Sequence, residues 1–197
     1  YTFLTFLIFL ILNIFDFRSF VSFNLSMTVI SSGGFLPTNT LSALLNTKTK
    51  EIIFSLVMLL SFFSLFFTYN VALYKEKGFK FIQEDIYLIF YLLIITFGCF
   101  VLIDQSIDFS LIFLAISSSV SNIGLSMEET PNSLSFIFLI LIIIGGSFYS
   151  TSSGLRFIKI YSLFKFSINE MISHAKPKNV FINKLPFSEK NIYLGDF

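Results

Sequence analysis

From Ile86 to Ile103 the chain carries no charged residue, and from Ile52 to Tyr74 it carries none either. Runs of that length are hard to solvate in water. A helix that crosses a bilayer needs about 20 mainly apolar residues, since each adds about 1.5 Å against a hydrocarbon core of about 30 Å. Four segments come near this: Tyr1 to Phe15, Glu51 to Tyr74, Ile86 to Ile103 and Leu134 to Tyr149. The first is as short as a truncated span. A signal peptide would need a basic n-region and a small-residue cleavage site, and Tyr1 to Phe15 has neither. The chain begins inside this apolar stretch and stops just as Ile192-Tyr193-Leu194 opens another, so it reads as an internal fragment of a longer protein.

Composition agrees. Hydrophobic residues make up 55% of the 197, charged residues only 13%, and mean hydropathy is +0.83. A soluble domain carries roughly a quarter charged residues, so a water-soluble globular enzyme is nearly excluded, and a disordered chain is excluded. Most of the 29 phenylalanines lie within the apolar runs and read as lipid-facing and packing bulk rather than as a base-stacking surface. A net charge of +1 gives no reason to expect nucleic acid or an acidic substrate. Cys99 is alone in an apolar run, which rules out a disulfide framework.

Two stretches differ from the spans. Phe17 to Ile30 and Phe109 to Val120 are apolar but about half a membrane long, and each ends in small polar residues: Ser31-Ser32-Gly33-Gly34, and Ser117 to Gly124. Non-helical backbone at membrane depth survives only against protein or a water-filled cavity. A half-length helix followed by such a strip therefore suggests a re-entrant loop; two short, weakly hydrophobic spans are the alternative. The order repeats as span, half-length helix, Ser/Gly strip, polar loop, span, with Gly34 and Gly124 in equivalent places. The expected architecture is an all-α integral membrane protein of such repeated units. Its segments are 1–74, a loop at 75–85, a second unit at 86–165, and a linker with the start of a truncated span at 166–197.

Lys and Arg set the orientation. Lys75, Lys77 and Lys80 follow the second span, and Arg156, Lys159, Lys165, Lys176, Lys178, Lys184 and Lys190 lie toward the C-terminus. Only Arg18, Lys48 and Lys50 lie on the other side, with Asp104, Asp108, Glu128 and Glu129. This predicts that the Lys75–Lys80 loop and the C-terminal segment are cytoplasmic and that both strips face outward. The outer acids either raise local cation concentration or are simply solvated. Catalysis has little to use. His174 stands in the basic tail without a Cys or carboxylate cluster, Asp16 and Arg18 read as an interfacial charge pair, and no zinc spacing or phosphate loop occurs. No bound cofactor is expected.

The strips carry the sharper chemistry. A half-helix that ends at Ser31 points its partly negative carbonyl end into the membrane, which favours a cation. Extended backbone beyond it offers carbonyls of the kind that replace a potassium ion's hydration shell, and glycine reaches φ > 0 without a Cβ clash. The segment Ser31-Ser32-Gly33-Gly34-Phe35-Leu36-Pro37-Thr38 resembles the second filter loop of Trk-type potassium uptake proteins, the superfamily that includes Ktr and HKT transporters. Gly145-Gly146-Ser147-Phe148-Tyr149-Ser150-Thr151-Ser152-Ser153-Gly154-Leu155-Arg156 and the following Ile158-Lys159 resemble that family's third-repeat segment, and Pro177-Lys178-Asn179-Val180 its linker before the fourth repeat.

The resemblance covers nearly the whole chain, as repeats two and three of four. It implies a potassium-channel-like fold and uptake of potassium across the bacterial cytoplasmic (inner) membrane. By it, Ser31, Ser32, Gly33, Gly34, Ser121, Asn122, Ile123 and Gly124 supply filter carbonyls to the transported ion. Gly145, Gly146, Ser147, Ser150, Thr151, Ser152, Ser153, Gly154 and Arg156 belong to an intramembrane gate loop below. It also implies membrane lipid around the chain, a homodimer and a cytosolic nucleotide-binding regulatory subunit. This chain departs from the pattern at Asn122-Ile123-Gly124-Leu125, where relatives end Thr-Gly-Phe, and at Phe148, Tyr149, Ser152 and Ser153, where they have glycine or alanine. Arg156 stands in place of lysine. The first departure bears on potassium-over-sodium selectivity. Other readings are a secondary transporter of another small solute, and a membrane anchor or assembly subunit, which full helical spans in place of the half-helices would favour.

Overall fold

A computed structural model describes residues 1–63, 79–102, 108–125, 127, 134–147 and 150–175. Among them are seven helices: α1 (Thr2–Ile14), α2 (Ser19–Ser31), α3 (Lys48–Phe62), α4 (Phe79–Leu102), α5 (Phe109–Ser121), α6 (Ser135–Ile143) and α7 (Phe157–Ala175). The described residues contain no sheet, only a parallel bridge between Ile144 and Leu155.

Helical periodicity decides what each element buries. α1 turns Leu4, Ile8 and Leu12 inward along one face and leaves Phe3, Phe6, Leu10 and Ile14 outside. It packs on α2 across a turn in which Asp16 takes a left-handed φ of 58°. The Thr47 side chain caps α3 by accepting from the Lys50 amide at 3.4 Å, with Glu51 in the first turn. α4 is the one described helix long and apolar enough to cross a membrane, over Asp85–Leu102 at a mean hydropathy of 2.3. Its outer stripe of Tyr87, Phe90, Ile94, Phe97 and Val101 is exposed, while Leu88 and Cys99 face inward.

α5 is the centre. It contributes Leu114 to one apolar cluster with α1, α2 and α3, and Ile112, Ile116 and Val120 to a second with Phe62, Leu88, Cys99 and Leu141. Three of its serines reconcile burial with polarity by returning their hydroxyls to the helix's own backbone. Ser117 donates to the Phe113 carbonyl at 2.6 Å, Ser119 to Ala115 at 2.8 Å and Ser121 to Ser117 at 2.6 Å.

Two sequence expectations change. Leu134 to Tyr149 is not a continuous span: α6 ends at Ile143 and the chain folds back before resuming as α7. Asp16 and Arg18 form no ion pair; instead Lys50 Nζ donates to the Asp16 carbonyl at 3.0 Å, and the ion pair on this side joins Lys48 to Asp108 at 2.7 Å. The expectations that fall on 64–74, Lys75, Lys77, Asp104, Glu128, Glu129, Phe148, Tyr149 and 176–197, and on the side chains of Lys80 and His174, lie outside the described residues.

Candidate functional site

The two half-length helices end in the same way. α2 and α5 are each 13 residues long and are entered from an extended residue, Arg18 and Asp108 respectively. At the far end of α2, the Gly33 amide reaches back to the Thr28 carbonyl at 3.1 Å and the Ser32 amide to Val29 at 3.4 Å. At the end of α5 the Ile123 amide reaches Ser118 at 3.2 Å and the Asn122 amide reaches Ser119 at 3.2 Å. This is the paired hydrogen bonding of a Schellman cap, with Ser32 and Asn122 in the left-handed position at φ 49° and 57°. Two residues on, Gly34 and Gly124 also have positive φ, 66° and 78°. Ser31 and Ser121, expected to begin the strips, are the last helical residues.

The caps converge. Ser32 Oγ lies 3.4 Å from the Ser121 carbonyl, and a Cβ placed on Gly34 would come within 2.7 Å of the Ile123 carbonyl. One strip therefore runs against the backbone of the other, and Gly34 is glycine for two reasons: the left-handed backbone and the approach of that oxygen. Gly124 has only the first reason. It is exposed, and a Cβ there would meet nothing within 4 Å. Beyond Gly34 the chain doubles back along α2, where Thr28 Oγ1 donates to the Phe35 carbonyl at 2.7 Å. The convergence brings together the negative ends of two helix dipoles, each roughly half an elementary charge. A cleft of about 330 Å³ opens beside it, lined by Ser118, Ser119, Asn122, Gly124, Phe138 and Ile142 among others.

Beneath the caps lies the loop between α6 and α7. Its neck is closed where the Gly145 amide donates to the Leu155 carbonyl at 2.8 Å and the Leu155 amide to Ile143 at 3.0 Å. Its body satisfies the end of α3, whose last carbonyls have no partner within the helix. The Ser147 amide donates to Phe62 at 3.2 Å, and the Thr151 and Ser152 amides both donate to Ser61 at 3.1 Å. Gly145 and Gly146 permit this, since a Cβ on either would collide with a backbone oxygen, Ser153 for the first and Phe62 for the second. Gly154 crosses the neck at φ 91°. Ser147, Ser150 and Ser152 are buried, and Ser152 Oγ accepts from the Gly146 amide at 2.9 Å.

Arg156 folds back into this loop rather than extending away from it. Its Nη1 donates to the Ser147 carbonyl at 2.9 Å, the Ser150 carbonyl at 3.1 Å and Ser150 Oγ at 3.0 Å. Loop and strips also touch. Asn122 Nδ2 donates to the Ile142 carbonyl at 3.1 Å and the Ser153 carbonyl at 3.0 Å, and Ser32 Oγ lies 3.4 Å from the Thr151 carbonyl.

The described residues that the resemblance assigns to the filter and the gate loop thus fall in one region. Ser31 to Gly34 meet Ser121 to Gly124, and the 145–156 loop lies against both. Sequence reasoning missed Ser61 and Phe62, whose carbonyls hold the loop, and Thr28, which holds the returning strip. Nothing in the sequence signalled Ser61 and Phe62, which lie in the middle of the Ile52 to Tyr74 run that hydropathy treats as continuous. Asp108, read among acids that either gather cations or are simply solvated, is paired with Lys48; that hydrogen bond, and then the charge behind it, raises the Lys48 ammonium above its ordinary 10.5.

Neither a family model nor a curated protein sequence matches the chain. Among solved structures the chain is similar to the crystal structure of the potassium transporter TrkH from Vibrio parahaemolyticus, with a TM-score of 0.79 and 21% sequence identity. The likeness covers 95% of this chain and 43% of that one, so the chain spans less than half the length of the transporter it matches. At that identity the likeness is one of fold alone: the described residues are helical and arranged as in part of that structure.

Proposed function

We propose that this chain contributes part of a carbonyl-lined pore that takes potassium, or a monovalent cation of similar size, across the cytoplasmic membrane. The observation that carries this reading is the pair of identically capped half-helices whose carbonyl ends converge and whose strips run together at Gly34 and Ile123. Backbone oxygens and two helix C-termini suit a weakly hydrated monovalent cation, which must bind and then leave. The described strips offer backbone carbonyls, serine hydroxyls and the Asn122 side-chain amide, and among the described residues no group of three His, Cys, Asp or Glu stands together. Half-length helices that turn back, with Phe35 held beside Thr28, support a pore reading over a plain anchor built of full spans.

The strips account for two neighbouring positions around a pore. Gly124 is open on the side where Gly34 meets its neighbour, and further strips of the same kind set there would complete a ring. In this reading the chain is a two-loop portion of a four-loop pore, and on its own it does not conduct. The loop at 144–156 lies below the filter as a gate, with Arg156 fixing its fold. The exposed apolar outer faces of α1 and α4 meet lipid. A homodimer and a nucleotide-binding subunit on the Lys-rich cytoplasmic side follow from the resemblance. The test is rubidium uptake by the complete membrane protein, measured with Gly34→Asp and Gly124→Asp. Each variant puts a side chain and a charge into a strip, and uptake is expected to fall at least about tenfold or lose its preference for rubidium over sodium. Uptake with parental rate and preference in both would end the filter assignment.

A further inference from the structure

Asn122 occupies the left-handed cap position of α5, and asparagine is among the few residues with a Cβ that tolerate that backbone. Conformation alone therefore explains an asparagine or a glycine there. What it does not explain is where the amide goes. Both hydrogens of Nδ2 are used, one on the Ile142 carbonyl and one on the Ser153 carbonyl. Two acceptors on one side also fix which end of the amide faces the loop. Ile142 stands in the last turn of α6 and Ser153 in the returning chain, each two residues before its residue in the Ile144–Leu155 bridge. Ile142 O is in addition an end carbonyl of α6, which the amide caps. The packing leaves no slack, since a Cβ on Gly154 would already lie 3.0 Å from Nδ2. At the matching position of α2, Ser32 points the same way, its hydroxyl 3.4 Å from the Thr151 carbonyl.

The geometry points to Asn122 as a positioning residue that ties the filter strip to the gate loop, so that the neck cannot open without releasing the Asn122 side-chain amide. This rests on the pore reading above and adds to it a mechanical link between two parts that the reading treats separately. The residue's side chain acts on the loop, through the Ile142 and Ser153 carbonyls. It holds the α5 cap and the neck as one unit, and loss of the amide frees the loop while the backbone cap remains. Ser32 provides a weaker second tie, because a single hydroxyl hydrogen is shared between the Ser121 and Thr151 carbonyls.

The reporter is Ser147, which is fully buried in the loop and whose Oγ has no hydrogen-bond partner among the described residues, so a thiol there breaks no hydrogen bond. In the complete protein with Cys99→Ala and Ser147→Cys, the rate of modification by a charged methanethiosulfonate reports opening of the loop, and rubidium uptake is followed in parallel. Asn122→Gly keeps the left-handed backbone and removes the amide. Asn122→Asp keeps the shape and sets an acceptor against two carbonyls. Each is expected to raise the modification rate about tenfold, the effect of about one net hydrogen bond on an equilibrium. Ser119→Ala, on the same helix, removes a hydroxyl that donates to the Ala115 carbonyl and leaves the rate unchanged. Rates within twofold of the parent in both Asn122 variants, or an equal rise in Ser119→Ala, overturn the tie whatever uptake does. Faster modification in a protein that carries no rubidium upholds the tie and removes the pore reading instead.

Discussion

At Gly34 and Gly124 the same backbone conformation sits in different surroundings, and the difference predicts unequal tolerance. Alanine at either position pays for a left-handed φ, about 1–2 kcal/mol. At Gly34 the methyl also meets the Ile123 carbonyl at 2.7 Å, whereas at Gly124 it meets nothing. Gly34→Ala should therefore lower the thermal midpoint of the purified protein clearly more than Gly124→Ala; equal shifts would mean that the strips do not touch as described. Arg156 invites a second comparison. Its Nη1 serves three oxygens of the loop, and charge-assisted bonds of this kind are worth about 1.5–3 kcal/mol. Arg156→Gln should loosen the loop and speed proteolysis within 147–156, and Arg156→Lys should do so less. The glycines were visible in the sequence, because few other residues suit a strip after a half-length helix. The role of Arg156 was not: its acceptors are backbone carbonyls, and a carbonyl is the same at every position until the fold selects some of them.

α2 and α5 reach one geometry from different letters, Ser-Gly-Gly in one and Asn-Ile-Gly in the other, because a Schellman cap asks only for a residue that accepts the left-handed region and amides free to turn back. That is why the repeat was legible as a pattern of lengths and glycines but not as matching sequence. α6 shows the opposite case. Leu134 to Ile144 has all the hydrophobicity of a span, and hydropathy cannot see that Ser61 and Phe62 present carbonyls that attract the following amides away from the helix. The prediction at this scale concerns Gly146. Its replacement by alanine drives a methyl into the Phe62 carbonyl, so either the loop leaves α3 or the end of α3 shifts. Gly146→Ala should destabilise by about 1–3 kcal/mol, as overpacking does, and should increase hydrogen exchange at the Ser147, Thr151 and Ser152 amides while that of α1 stays unchanged.

Across the molecule, α3 and α5 are joined at both ends: Lys48 and Asp108 at one, the loop under the α5 cap at the other. The first junction is largely exposed, so its contribution is small and screened by salt. Its pH behaviour is nonetheless specific. A lysine whose folded pKa is raised keeps its stabilising effect below the unfolded value of 10.5 and loses it only as pH rises through the higher folded value. The difference in thermal midpoint between parent and Lys48→Met should thus be flat from neutral pH to about pH 9 and vanish only in strong alkali. A difference that changed near neutrality would point to another titrating group. The second junction has a consequence for reach. Because Ile144 and Leu155 are bridged, residues 145–154 add nothing to the separation of α6 from α7. Paid out as extended chain at about 3.3 Å per residue, that stretch is on the order of 30 Å of stored tether. The travel available to α7 is therefore limited by a handful of hydrogen bonds at the neck and not by the length of the connecting chain.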